Sequence, residues 1–317
     1  MVASTYSKIL EKVAAATIEH AELHLSEEVV RIENLGKESK DAGKILIETA
    51  NGLRKTCDQV VVTTPLGWLQ RNKQAFVPSM PQKLTDAIDS VSYSRLEKAF
   101  VRFPNAWWEG NQDGFGDPEK FASATLFTTP EYAPDTNPGR WNQEIFSYSA
   151  LPSDLSHPTL LFYVYGDNSK LITEALQNIP KESPEYQDIL AKFFEPYYSL
   201  LPNYNKSNPD CAPERSLITD WEHDKFAGYG AYSHYAVPLQ EGAKVVEIIR
   251  NGMSADRNIW FAGEHTAPEI ALSTIVGAYW SGERVAREIQ HHNGGCRGKP
   301  DIMQDFVAPE LSSNLEL

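Results

Sequence analysis

Apolar and polar residues alternate along the chain with two different periods. Apolar residues at helical spacing over 9–18 predict a first helix, with Ser4 or Thr5 as its N-cap. The same spacing predicts helices over 82–91, 185–195 and 275–289, with Pro196 as a break or kink of the third. Runs of β-branched and aromatic residues predict strands at 23–32, 44–48, 58–64, 99–103, 124–128, 144–149, 160–165, 216–221 and 259–262. Helices and strands are therefore interleaved, and the fold class expected is α/β.

The most informative stretch is a strand–loop–helix unit near the end of the chain. The strand 259–262 is followed by Gly263 and Glu264, and the predicted helix after the loop begins near Ser273 and Thr274. A glycine lets a ligand approach the backbone, and free N–H groups at a helix start bind electron-rich groups. This unit resembles the corner of an α/β sheet that contacts a cofactor. An ordinary strand–loop–helix unit packed through small residues has the same pattern.

Charge and cysteine content exclude several classes of protein. The chain of 317 residues has 29 Lys and Arg against 43 Asp and Glu, a formal net charge of −14. A nucleic-acid or anionic-membrane partner would require a basic face, so a small molecule is the expected partner, and the negative charge is compatible with a cationic one. Cys57, Cys211 and Cys296 form neither a disulfide framework nor a metal ligand set, which favours a reducing, cytoplasmic location. The first residues lack the apolar run of a signal peptide, and no window reaches the length of a membrane span.

Residues 261–266 and 274–282 resemble the C-terminal flavin-binding signature of the flavin-containing amine oxidases, in particular polyamine oxidases and flavin-type histone-lysine demethylases. The stretches 60–70, 76–103 and 219–235 resemble further segments of that family, in the same order along the chain. The similarity extends to about residue 290. It implies a remnant of the flavin amine oxidase fold, with a depleted FAD-domain lobe and a mixed-sheet substrate lobe.

The resemblance also implies site residues. Lys98 matches the lysine that holds a water against the flavin N5 atom, and Tyr232 matches one wall of an aromatic cage around the amine. Thr274 stands opposite, where this chain lacks the second aromatic wall. The positions expected to contact FAD are Val29, Thr63, Pro65, Trp221, Gly263, Glu264, Ser273 and Thr274. We expect Lys98, Trp221, Tyr232 and Thr274 to face one apolar and aromatic cavity. Without the order of matches along the chain, a structural role would be favoured for Lys98, Trp221 and Tyr232.

The sequence departs from the family in one important respect, because it contains no GxGxxG run. Such a run holds the dinucleotide pyrophosphate at a helix N-terminus. The expected division is therefore a truncated Rossmann-type FAD lobe from 1–75 and 226–292, a substrate lobe from 76–225, and a loose tail from 293–317. We expect FAD to be bound weakly or not at all by this chain alone.

Two functions remain open from the sequence. The chain is either part of an amine oxidase that transfers hydride to FAD when the dinucleotide-binding half is supplied, or a cofactor-free descendant. The descendant would use the old substrate cavity for cyclisation, elimination, isomerisation or small-molecule binding. An apolar surface where the βαβ unit packs in the family would be buried by self-association, by a partner polypeptide or by the N-terminal helix. Self-association into a homo-oligomer is the outcome we expect.

Overall fold

A computed structural model describes residues 6–36, 38–109, 122–152, 154–235 and 242–294. The helices are α1 (Tyr6–His20), α2 (Leu66–Arg71), α3 (Gln82–Ser90), α4 (Gly166–Leu176), α5 (Pro184–Tyr198), α6 (Gly242–Asn251), α7 (Ser254–Arg257) and α8 (Ile275–His292). The strands are β1 (Val29–Asn34), β2 (Ile45–Thr49), β3 (Arg54–Cys57), β4 (Val60–Val62), β5 (Phe76–Val77), β6 (Ser92–Tyr93), β7 (Leu96–Arg102), β8 (Ala124–Phe127), β9 (Gln143–Ser147), β10 (Thr159–Tyr165), β11 (Arg215–Ile218), β12 (Ser233–His234) and β13 (Ile259–Phe261). The interleaved helices and strands confirm the α/β class.

The chain divides into two compact units. Unit 1 comprises the described residues of Met1–Ser26, Ser94–Asp224 and Tyr229–Ala231. Unit 2 comprises those of Glu27–Tyr93, Lys225–Gly228 and Tyr232–Leu317. The boundaries differ from the expected ones, since the first helix groups with unit 1 and residues 76–93 group with unit 2. The assignment of these units to a substrate lobe and an FAD lobe stays a prediction.

Unit 1 is built on a five-stranded sheet in the order β11-β7-β10-β9-β8, with antiparallel pairing throughout. The central strand β10 is almost wholly buried, as its unbroken apolar sequence predicts. Helix α5 covers the sheet, and its Phe194 ring lies 4.5 Å from that of Phe162 on β10. Strand β7 alternates partly buried and buried positions, so neighbouring residues of β7 point to opposite faces of the sheet.

Unit 2 contains a four-stranded sheet in the order β3-β2-β1-β5 and a separate pair of parallel strands, β4 and β13. In that pair Val60 lies opposite Ile259, and Val62 opposite Phe261. The pairing confirms the prediction that these two apolar runs, which are far apart in sequence, are neighbouring strands. A core that includes Leu66, Leu69 and Phe261 packs beneath them.

Several elements differ from the sequence predictions. The predicted strand 23–32 begins only at Val29, and Leu25, at 82% exposure, does not pack against a sheet. Strand β3 was not expected, because three of its four residues are exposed, and α4 and α6 were also missed. Helix α5 continues through Pro196, because the burial of Tyr197 and Tyr198 offsets the lost N–H.

Some predictions lie outside the described residues. They include the N-cap at Ser4 or Thr5, the thiol of Cys296 and all of the predicted tail except Asn293 and Gly294. Within the described ranges, no helix combines the length and the apolar character that a membrane crossing needs.

Candidate functional site

The candidate site begins at a glycine that lies two residues after strand β13. The three residues of β13 are buried, which fixes the strand against β4. Gly263 follows with φ +136°, and a Cβ built there would lie 2.7 Å from Cε1 of His265. The backbone conformation and the lack of space both require glycine. The Gly263 N–H donates to Ser281 Oγ on α8 at 2.8 Å, so the turn is tied to that helix.

Glu264 is a largely buried carboxylate with three hydrogen-bond donors around it. It accepts from Ser233 Oγ at 2.5 Å, from the Ser233 N–H at 3.2 Å and from the backbone N–H of Ser273. Burial raises the pKa of Glu264 above the ordinary glutamate value, and these hydrogen bonds oppose the rise. The Ser273 hydroxyl in turn donates to the Ser233 carbonyl. The carboxylate therefore joins the start of β12 to the loop before α8.

The first turn of α8 is capped by Thr274. Its Oγ1 accepts from the Gly277 N–H at 2.9 Å and donates to the Ala271 carbonyl at 2.7 Å. The hydroxyl predicted to face the amine is thus engaged in holding the helix start. Beside it, the apolar side chains of Ile275, Val276 and Tyr279 are each half exposed or more. The helix start in unit 2 therefore presents an apolar surface beside its capped first turn.

Lys98 and Trp221 belong to unit 1. The ammonium of Lys98 lies 5.5 Å from the ring centroid of Tyr163, directly opposite on β10. Trp221 begins a 3-10 turn, Trp221–His223, and is 43% exposed. An exposed tryptophan at the end of a strand is available to a ligand, which a core aromatic would not be.

The remaining predicted contacts lie in unit 2. Val29 begins β1, Thr63 is exposed just after β4, Pro65 precedes α2, and Tyr232 is half buried before β12. The structure brings Glu264 and Ser273 together through Ser233. Lys98 and Trp221 lie in a different unit from Tyr232 and Thr274, so the single cavity expected for these four stays a prediction.

Sequence reasoning missed three residues of this corner. Ser233 and Ser281 hold Glu264 and Gly263, and no spacing rule singles out either serine. His265 is fully buried, and its Nε2 atom has no hydrogen-bond partner. Burial lowers the pKa of His265 to about 4, so the ring is neutral at ordinary pH.

The donor set at this corner suits part of a flavin. Glu264 offers a carboxylate that would accept hydrogen bonds from the hydroxyls of a ribityl chain, and Gly263 has no side chain that would keep a flat ring away from the backbone. The sequence supplies no glycine-rich turn for the pyrophosphate. The residues present therefore match the ring end of FAD and not its adenosine end.

A surface cavity of about 460 Å³ in unit 1 lies beside α5. Tyr132, Lys192, Glu195 and Pro196 are among the residues that line it. None of the predicted site residues does, so this cavity is separate from the groups described above.

The parallel pair β4 and β13, the Gly263–Glu264 turn and the capped start of α8 form the corner at which the resemblance places a flavin. The chain belongs to the flavin containing amine oxidoreductase family, whose model matches residues 3–290. It is 25% identical over 290 residues to a corticosteroid-binding protein of Candida albicans, covering 87% of this chain and 54% of that protein. It is 27% identical to lysine-specific histone demethylase 1 homolog 3 of Arabidopsis thaliana, covering 91% of this chain and 16% of the relative. With homolog 1 from the same plant it shares 29% identity, over 74% of this chain and 24% of the relative. The chain thus spans about half the length of the first relative and a quarter or less of the other two.

Proposed function

We propose that this chain forms part of a flavin-dependent amine oxidase and contributes the ring end of its FAD site. The observation that carries the proposal is the turn at Gly263 and Glu264, placed by the parallel pair β4 and β13 and followed by the capped start of α8. When bound, FAD supplies a hydride acceptor for the carbon next to an amine nitrogen. The protein supplies position and polarity.

Each candidate residue has a distinct part in this proposal. Glu264 is already oriented by Ser233 and Ser273, so it would accept hydrogen bonds from the cofactor's polar chain without reorganisation. Trp221, being exposed, would offer its face to an aromatic ring. Lys98 would hold a water molecule through its ammonium, which is anchored over the Tyr163 ring.

Weak cofactor retention is part of the same proposal. Two phosphate charges of FAD need a helix N-terminus and a glycine turn, and this sequence has no GxGxxG run. A formal net charge of −14 further disfavours a dianionic group. Added FAD, or a polypeptide that supplies the dinucleotide-binding segment, would then be required for turnover.

A second function is favoured by one comparison. The relative from Candida albicans is named for binding a corticosteroid, a neutral apolar molecule with no amine. A cofactor-free protein that uses an apolar cavity for binding or non-redox catalysis is therefore the alternative. It predicts a colourless protein that binds an apolar small molecule and produces no hydrogen peroxide.

We also propose that the partner of this chain is a second copy of itself. Ile270, Ile275, Val276 and Tyr279 form an apolar patch around the start of α8, and each is half exposed or more. A patch of this kind is usually covered in a stable protein. Self-association would bury this patch without requiring a different partner protein.

The two functions are separated by one experiment. The visible absorption spectrum of the purified chain is recorded before and after addition of FAD, and hydrogen peroxide is measured with a panel of amines. Flavin-dependent peroxide formation supports the oxidase. Absence of peroxide under all conditions, together with binding of an apolar ligand, supports the alternative.

Lys98→Met tests the assigned role of the ammonium. The variant should bind FAD as the wild type does but oxidise amine on the order of 10²-fold more slowly, because the positioned water is lost. Lys170→Met is the matched control, since Lys170 pairs at the surface with Glu174 at 3.6 Å in the same unit. An equal rate in wild type and Lys98→Met would refute the role of Lys98.

A further inference from the structure

Glu97 is a buried carboxylate beside Lys98 that the proposed function does not use. It is 1% exposed and lies on the same buried face of β7 as Ala99 and Val101. Those neighbours are small and apolar, as expected for the inside of a sheet. A carboxylate at such a place costs free energy unless hydrogen bonds compensate for its burial.

The hydrogen bonds of Glu97 all lead to one segment, the end of β11 and the turn after it. Oε2 accepts from Thr219 Oγ1 at 2.5 Å, and Oε1 accepts from the Glu222 N–H at 3.1 Å. The backbone N–H of Trp221 also donates to this carboxylate. One side chain on β7 therefore satisfies the free donors at the start of the turn that carries Trp221.

The same hydroxyl connects the carboxylate to the lysine backbone. Thr219 Oγ1 accepts from the Lys98 N–H at 2.9 Å while it donates to Glu97, and the Thr219 N–H donates to the Lys98 carbonyl at 3.1 Å. The position of Lys98 along β7 and the position of the turn are thus linked through two side chains.

Two further side-chain pairs involve residues of this turn. Arg95 pairs with Glu222 at 2.9 Å, and His223 lies 2.7 Å from Asp220. Burial raises the pKa of Glu97 and Asp220 adds to the rise, whereas the three hydrogen bonds oppose it. A buried group held by so many donors has one orientation, and such networks specify a unique arrangement.

We propose that Glu97 is a positioning residue whose carboxylate, through Thr219 and the backbone amides of Trp221 and Glu222, holds Lys98 and the Trp221 side chain in a defined relative position. The consequence for amine oxidation rests on the proposed function. The positioning itself does not, because all its atoms belong to this chain and to unit 1.

The test follows Trp221 by ¹⁹F NMR of the full chain labelled with 5-fluorotryptophan. The resonance of Trp221 is identified as the one that is missing from the spectrum of Trp221→Phe. Glu97→Ala should shift and broaden that resonance, because the turn loses its three acceptor contacts. Glu97→Gln should restore the wild-type position, because its Oε1 can still accept from the amides and its amide NH₂ can donate to Thr219 Oγ1.

Asn137→Ala is the matched control. Asn137 is also a buried polar residue of unit 1, and its side chain makes three hydrogen bonds, to the N–H and carbonyl of Trp141 and to the Tyr197 hydroxyl. Its loss should move the Trp141 resonance and leave that of Trp221 in place. A Trp221 resonance unchanged in folded Glu97→Ala, or shifted equally by Asn137→Ala, would overturn the proposal.

Two further measurements keep the test decisive. Should Glu97→Ala not fold, Thr219→Val removes the bridging hydroxyl at constant size and must move the Trp221 resonance; an unmoved resonance overturns the positioning role.

With FAD supplied, Glu97→Ala should lower kcat on the order of 10²-fold, and Glu97→Gln should retain the wild-type kcat. A wild type that oxidises no amine, either with FAD alone or with FAD and a polypeptide that supplies the dinucleotide-binding segment, refutes the proposed function, while the NMR result still decides the role of Glu97.

Discussion

In the described part of each unit, a carboxylate largely shielded from solvent organises its surroundings. Glu264 joins strand β12 of unit 2 to the loop before α8 through Ser233 and Ser273, and Glu97 joins β7 to the Trp221 turn of unit 1. Burial raises the pKa of both carboxyls. Both are satisfied almost entirely by hydroxyl and backbone donors, so their role is to orient segments rather than to form ion pairs.

His265 gives a prediction about pH. Burial lowers its folded-state pKa to about 4 from an ordinary value of 6.5, so the unfolded chain takes up a proton first as pH falls. The free energy of unfolding should therefore decrease between pH 6.5 and pH 4, by roughly 3 kcal/mol from this group alone. Urea denaturation at several pH values should show a flatter profile for His265→Gln than for wild type.

The control for this prediction is His20→Gln, because the ring of His20 is exposed on α1. Its profile should match that of the wild type. The raised pKa values of Glu97 and Glu264 favour the folded state as pH falls, which is opposite to the effect of His265. The contribution of His265 is therefore obtained from the difference between the variant and wild-type profiles. Parallel profiles for His265→Gln and wild type would contradict the prediction.

At the scale of elements, α8 is placed by close contact with the loop before it. A Cβ on Gly277 would lie 2.0 Å from the Ala271 carbonyl and 2.6 Å from the Ala267 Cβ. The backbone of that loop cannot move away without breaking the cap at Thr274. Glycine at 277 thus sets how closely the helix start approaches the Gly263–Glu264 turn.

Two glycine substitutions in α8 should have opposite effects. Gly277→Ala should destabilise the protein by about 1–3 kcal/mol, because the added methyl group overlaps backbone atoms. Gly282→Ala meets open space and should stabilise it by roughly 0.5–1 kcal/mol, since alanine favours the helix. Thermal unfolding of the two variants measures the difference, and equal melting temperatures would show that α8 does not pack as described.

At the scale of the whole molecule, net charge and exposed apolar surface have opposite effects on self-association. A formal net charge of −14 keeps copies of the chain apart, whereas the patch at the start of α8 draws them together. Salt screens the repulsion over about 10 Å at 0.1 M and leaves apolar contact largely intact. The balance between monomer and oligomer should therefore depend on ionic strength.

We predict that self-association increases with salt. Light scattering after gel filtration should give a mass above 35.5 kDa, with the oligomeric fraction rising from low to moderate salt. Val276→Asp should reduce that fraction because it places a charge in the patch. Leu200→Asp, at an exposed apolar position of unit 1, should not. A monomer at every salt concentration would contradict the proposal.

The sequence by itself determined the elements whose pattern is strong and the family to which the chain belongs. The apolar run around Val60–Val62 predicted a buried strand because burial on both faces selects an unbroken run of β-branched residues. The long amphipathic period of 275–289 predicted α8, and the motifs in that region carried the resemblance that the match over residues 3–290 confirms. By contrast, β3 and the continuation of α5 through Pro196 depend on neighbours that local sequence does not reveal.

Only the tertiary structure decided how the candidate residues are held. Glu97 appears in the sequence as a charged residue of an apolar strand, and its partners Thr219 and Glu222 lie more than a hundred residues further along the chain. Ser233 is likewise distant from Glu264. Side-chain hydrogen bonds between separate segments follow no periodicity, because they depend on where the folded backbone brings donors and acceptors together. Position in three dimensions therefore assigns a role to residues whose chemistry alone is compatible with an ordinary structural one.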